Sequence, residues 1–153
     1  YLKTKNDGMA NNYCDWGITL GRRFRALKLW FVIRSFGLSG LQDKIRGHIR
    51  MAKGFVQKLE DHPDFSILAP TILNLVCFQY RPHGISGQAE LNLLNENLMH
   101  QINDSGEMYL THTKLNGNLV LRLVAGQTNL EDKHMDQAWQ IILNSVSQIN
   151  QQQ

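Results

Sequence analysis

The residue best placed to do chemistry is Arg122, the single charge in the run Leu119-Val120-Leu121-Arg122-Leu123-Val124-Ala125. A strand alternates its side chains, so Val120 and Val124 share the arginine's side and Leu119, Leu121 and Leu123 take the other. An unpaired guanidinium buried in such a row costs several kcal/mol and requires a carboxylate, a phosphate or an open edge. Two readings stand: a salt bridge or exposure at the sheet rim, or a fork-shaped receptor for a carboxylate ligand. Six histidines, His48, His62, His83, His100, His112 and His134, show no ligand spacing with Cys or Asp, so surface or helix-face positions are expected and no metal. Cys14 and Cys77 are isolated thiols, which suit a reducing cytoplasm better than a disulfide scaffold. The sequon Asn103-Asp104-Ser105 is then expected to stay unmodified. The chain has no glycine-rich phosphate loop, serine elbow or activated-cysteine motif, which argues against an autonomous enzyme.

The elements that must position Arg122 can be traced along the chain. Residues Tyr1 to Asp15 are rich in turn formers and read as loop, with no periodicity before Trp16. From Leu20 to Gly40, apolar residues recur at Leu20, Phe24, Leu27, Trp30, Phe31, Ile33 and Phe36, a helical spacing so wide that burial on more than one side is expected. Gly37 can supply a left-handed stop, and Ser39 with Gln42 a capping box for a second helix. That helix carries Leu41, Ile45, Ile49, Ala52, Phe55 or Val56, and Leu59 on one face and ends before Pro63. Strands are predicted at Ser66 to Ala69 and Leu75 to Tyr80, and a third helix bears Leu91, Leu94, Leu98 and Ile102. Met108 to Leu115 and Leu119 to Ala125 flank Asn116-Gly117, a strong type I′ hairpin signal. Thr128 with Glu131 reads as a capping box for a last helix with Met135, Ala138, Ile142, Val146 and Ile149 inward. The order gives an α+β fold: a small antiparallel sheet covered by helices on one face. The expected organisation is 1–19 as loop and linker, 20–40 as a connecting helix and 41–153 as the small α+β domain.

With 153 residues, 42% hydrophobic and 19% charged, the chain can bury one core. No apolar run reaches the roughly 18 residues of a membrane span, and no membrane partner is expected. The chain begins with Tyr1 rather than Met, so it is read as processed or as a piece of something longer, with a cut just before Tyr1 as one route. Residues 1–58 hold 12 Lys and Arg against 3 Asp and Glu, whereas residues 59–153 hold 4 against 10. The simplest expectation is that the halves fold against each other; an anionic partner for the basic half is the alternative. The basic residues are interleaved with core residues and lack an aromatic platform, so nucleic acid is not the expected partner.

The string from Asp15 to Phe31, DWGITLGRRFRALKLWF, resembles the signature near the C-terminal end of the group II pyridoxal-phosphate-dependent decarboxylases, and most closely the aromatic-L-amino-acid decarboxylases. The similarity continues through Gly40-Leu41, Ile45-Arg46, Leu75-Val76-Cys77-Phe78, Ile102-Asn103, Ser105-Gly106, Thr111-His112, Leu121-Arg122 and Ala138-Trp139, essentially the whole chain.

The resemblance implies the C-terminal small domain of a fold-type I, homodimeric, cytoplasmic enzyme that uses pyridoxal 5'-phosphate. The family's Schiff-base lysine and the residues around the cofactor ring lie upstream and have no counterpart here, so the resemblance implies that this piece alone is inactive. Its partners would be the large cofactor-binding domain of the same polypeptide, a second copy, and a small amino-acid substrate. Tyr1 matches the mobile-loop tyrosine that delivers a proton after carbon dioxide departs; relatives with phenylalanine there form aldehydes instead of amines. Gly21 matches a position lining the substrate side-chain pocket, where glycine leaves room for a ring. Arg122 matches the arginine of the small-domain sheet close to the active site. Thr4, Cys14 and Thr19 depart from the usual histidine, basic residue and proline, which bears on substrate choice. Decarboxylation of acidic or other non-aromatic amino acids, aldehyde formation, and a non-catalytic interaction domain of the same fold are the alternatives.

Overall fold

The computed structural model describes residues 24–151. The chain divides into two compact units, Tyr1–Ser39 and Gly40–Gln153. Helix α1 spans Arg25–Glu60 and is interrupted at Gly37, whose φ of 66° and ψ of 179° are non-helical. A positive φ of this kind favours glycine, which lacks the Cβ that would clash. The helix resumes at once, so the expected stop is a kink, and no side-chain cap by Ser39 forms among the described residues.

In the first unit only this helical segment is described, and the expected burial is not found. Phe24 is 73% exposed, Leu29 61%, Phe31 58% and Trp30 54%. The reason is simple: no second described element belongs to that unit to cover them. Arg34 instead lies 5.8 Å over the Trp30 ring, a cation–π contact.

The second unit is an α+β layer pair, in agreement with the fold class expected above. After α1 come β1 (Phe65–Ile67), β2 (Leu75–Tyr80), α2 (Gln88–Asp104), β3 (Thr111–Leu115), β4 (Asn118–Val124) and α3 (Asp132–Gln151). The four strands form one antiparallel sheet in the order β1-β2-β4-β3. The core lies between one sheet face and the helices: Val76, Phe78 and Tyr80 of β2 and Leu119, Leu121 and Leu123 of β4 meet Phe55, Leu98, Ile102, Trp139 and Ile142. Trp139 stands edge-on to Phe55 and His62 and tilted on Phe65, which ties α3 to α1 and β1.

Several boundaries differ from the sequence reading for local reasons. Ile45 is exposed and Met51 is buried, so the inner face of α1 begins later than expected. Met108 and Tyr109 stay outside β3; Leu110 N–H donates to Asn103 Oδ1 at 2.7 Å, and Asn103 Nδ2 returns a bond to Leu110 O. The capping box expected from Thr128 and Glu131 is replaced: Glu131 N–H donates to His134 Nδ1 at 3.0 Å, so the reciprocal bond is shifted along the chain and made by a histidine. The hairpin turn is as expected, with Asn116 and Gly117 both at positive φ.

The charge asymmetry is resolved partly by pairing across the fold. Arg50 makes a bidentate contact with Asp132 at 3.0 and 2.9 Å, and Lys58 meets Asp136 at 3.0 Å. Among the described residues, no helix is long and apolar enough to cross a membrane.

Candidate active site

β4 presents Arg122 on the sheet face opposite the helices, because Leu119, Leu121 and Leu123 occupy the core face. Its neighbours follow from the register: Cys77 lies opposite on β2 and Thr111 opposite on β3. Cys77 spends its carbonyl on Leu68 N–H of the outer strand side. The Cys77–Arg122 pair is therefore the non-hydrogen-bonded type, in which side chains come closest. Arg122 is half-buried. Among the described residues its side chain makes neither a hydrogen bond nor an ion pair. No acidic side chain among the described residues occupies the donors of the fork.

Electrostatics at the pair are consistent with this geometry. Burial pushes the Cys77 thiol above its ordinary range, and the nearby Arg122 charge partly offsets that rise. The thiol is free and stays protonated, so it acts as a small apolar wall beside the fork.

One further polar group shares this face. Gln79 is fully buried, two residues along β2 from Cys77. Its Nε2 donates to Leu119 O at 2.9 Å, while Oε1 has no partner among the described residues. Sequence reasoning missed Gln79, although an amide inside Leu-Val-Cys-Phe-Gln-Tyr was the available signal.

The frame around Arg122 is held by α2. β2 and β4 pair only from Leu75↔Val124 to Phe78↔Leu121, and beyond this they diverge. Asn95 fills the gap like a strand partner, accepting from Tyr80 N–H and donating to Tyr80 O, both at 2.8 Å. Asn92 does the same for β4, accepting from Leu119 N–H at 2.7 Å and donating to Gly117 O at 2.9 Å. Together with Asn103, three amides of one helix satisfy backbone that the sheet leaves open.

Tyr1 and Gly21 lie outside the described residues, so only Arg122 of the three expected site residues has a described position. An open groove of about 700 Å³ between Met108, Leu130 and α3 does not include Arg122. Of its titratable groups, His134 is engaged with Glu131 N–H and Asp136 with Lys58, while Glu107 and Tyr109 stand at its rim. Among the described residues no cluster of His, Cys, Asp or Glu is placed to hold a metal. Nor do these residues fit a covalently held cofactor: Lys58 and Lys133 are spent on surface ion pairs, Lys44 on Thr128 O, and Lys28, Lys53 and Lys114 are exposed.

Comparison with known proteins gives this face its context. Residues 1–81 match the model of the pyridoxal-dependent decarboxylase conserved domain. The chain is 41% identical over 144 residues to a tryptophan decarboxylase of Camptotheca acuminata, covering 93% of this chain and 29% of that protein. It is 41% identical over 149 residues to a phenylacetaldehyde synthase of Arabidopsis thaliana, covering 96% and 30%. The crystal structure of Oryza sativa TDC with PLP and tryptamine superposes with a TM-score of 0.79 at 33% identity, over 86% of this chain and 28% of that one. The chain thus spans under a third of the length of these relatives. A family match over more than half of the chain, with a sheet and helices that superpose on a solved relative, places it: the chain belongs to the pyridoxal-dependent decarboxylase family.

Proposed function

We propose that this chain is the C-terminal small domain of a pyridoxal-phosphate-dependent L-amino-acid decarboxylase that acts on aromatic substrates. The observation that carries the reading is Arg122, a half-buried guanidinium without a partner among the described residues, on the sheet face opposite the helices in a member of this family. Its fork suits a carboxylate, the group that every amino-acid substrate carries. In the holoenzyme the cofactor supplies the electron sink for the bond that breaks. The lysine that holds it belongs to the stretch of the relatives' length that this chain does not span, so this chain alone releases no carbon dioxide. What the chain contributes is binding and proton delivery: Arg122 at the carboxylate, Gly21 as open space for a ring, and the Tyr1 hydroxyl as proton donor once water is shut out.

The aromatic preference rests on the tryptophan decarboxylase similarity. The phenylacetaldehyde synthase is equally similar, and it supports aldehyde formation as the second reading; Tyr1 favours the amine. The enzyme is a homodimer in the cytoplasm, a setting that the free, buried thiol of Cys77 suits.

Carbon dioxide release tests this reading. The longer natural polypeptide containing this chain should release it from an aromatic L-amino acid only with pyridoxal phosphate present, and this chain alone should not. A longer polypeptide that neither binds the cofactor nor releases carbon dioxide would leave the non-catalytic interaction domain in its place.

A further inference from the structure

The sheet face opposite the helices holds two unsatisfied groups of opposite kind. Gln79 Oε1 is a fully buried acceptor without a donor, although buried acceptors in folded proteins are almost always satisfied. Arg122 is a five-donor fork without an acceptor among the described residues. The register places Gln79 diagonally from Arg122 on the same face, one step past the direct Cys77–Arg122 pair. Diagonal neighbours lie within reach of a side chain as long as arginine. The Gln79 amide is also anchored, because its Nε2 is committed to Leu119 O, which the divergence of β2 from β4 leaves open.

We propose that Gln79 is a positioning residue for Arg122: its anchored amide oxygen accepts one edge of the guanidinium and turns the remaining N–H pair toward the carboxylate of the substrate. A neutral acceptor suits this task. It fixes the plane of the fork without cancelling the charge, whereas a carboxylate at the same place would form an ion pair and compete with the ligand. Cys77 on one side and Thr111 on the other then act as walls of a row that crosses three strands. The proposal rests on the reading of Arg122 as the carboxylate receptor.

The test is a double-mutant cycle in the full-length holoenzyme, with steady-state kinetics on an aromatic L-amino acid. Arg122→Met is expected to raise KM at least about tenfold, and Gln79→Met about threefold to tenfold with kcat within about twofold. The double variant should be no worse than Arg122→Met, since an orienting residue has nothing left to orient. If Gln79→Met leaves KM unchanged, or multiplies it equally in both backgrounds, Gln79 does not act through Arg122 and the proposal falls. If Arg122→Met itself leaves KM unchanged, the receptor reading falls first and takes this inference with it. Should Gln79→Met not fold, a crystal structure of the unliganded wild-type enzyme decides: a guanidinium nitrogen within about 3.2 Å of Gln79 Oε1 supports the pairing. Oε1 bonded to another donor, with Arg122 turned away, overturns it.

Discussion

Replacing Arg122 in the full-length enzyme should separate charge from geometry. Arg122→Lys keeps the charge and loses the fork, so its KM should fall between wild type and Arg122→Met, the latter about tenfold to a hundredfold above wild type. Equal KM values for all three would remove Arg122 from substrate binding. The neighbouring thiol makes a second residue-level prediction. Burial raises both the Cys77 thiol and the Tyr80 phenol above their ordinary ranges. Unfolded, each group ionises at lower pH than it does folded, so their stabilisation is complete below the ordinary thiol range and fades as pH climbs from about 8.5. Urea midpoints followed from neutral to alkaline pH should fall in that window. Arg122→Met, which removes the charge that lowers the thiol, should push Cys77 ionisation higher still, as read from its carbon-13 Cβ shift. Arg122 was legible in the sequence because strand alternation isolates one charge among apolar residues. Gln79 was not, because an uncharged amide in a strand gives no sign of which face it will occupy or whether its oxygen finds a donor.

At the scale of elements, the sheet depends on α2. Asn95 is fully buried and satisfies both backbone groups of Tyr80 where β2 and β4 diverge. Asn95→Ala leaves an N–H and a C=O unsatisfied in the interior and should cost about 2–4 kcal/mol in urea unfolding. A loss below about 0.5 kcal/mol would mean that water or a shifted backbone replaces the clamp. The hairpin was readable because Asn116-Gly117 specifies its turn locally, and the inner face of α3 was readable from its period. The three asparagine clamps were not readable, since each pairs a helix side chain with backbone 7 to 27 residues away. The Thr128 cap does not form for a similar reason: Thr128, Asn129 and Asp132 offer competing local signals, and the first turn settles on His134. The kink in α1 was half legible, as Gly37 marks the break but not the immediate resumption of the helix.

At the scale of the whole molecule, the chain leaves a large apolar surface uncovered in its first unit. Phe24, Leu29, Trp30, Phe31 and Ile33 are all about half exposed or more. Contiguous apolar exposure on this scale marks an interaction surface or an aggregation liability. This chain produced alone should therefore enhance the fluorescence of a hydrophobic dye and self-associate in light scattering, and the longer polypeptide should do neither. Equal dye binding by both would show that the additional length does not cover this helix. The sequence pattern announced an apolar helix; it could not say what would cover it, because periodicity marks a face and not its partner. Product identification decides most directly whether the longer polypeptide is an aromatic amino-acid decarboxylase. Loaded with pyridoxal phosphate, it would be incubated with L-tryptophan, L-tyrosine, L-phenylalanine and L-glutamate, and the products read by mass spectrometry. The expected result is the amine of at least one aromatic substrate and none from L-glutamate. An amine from L-glutamate alone, or no amine from any of the four, would contradict the proposed function.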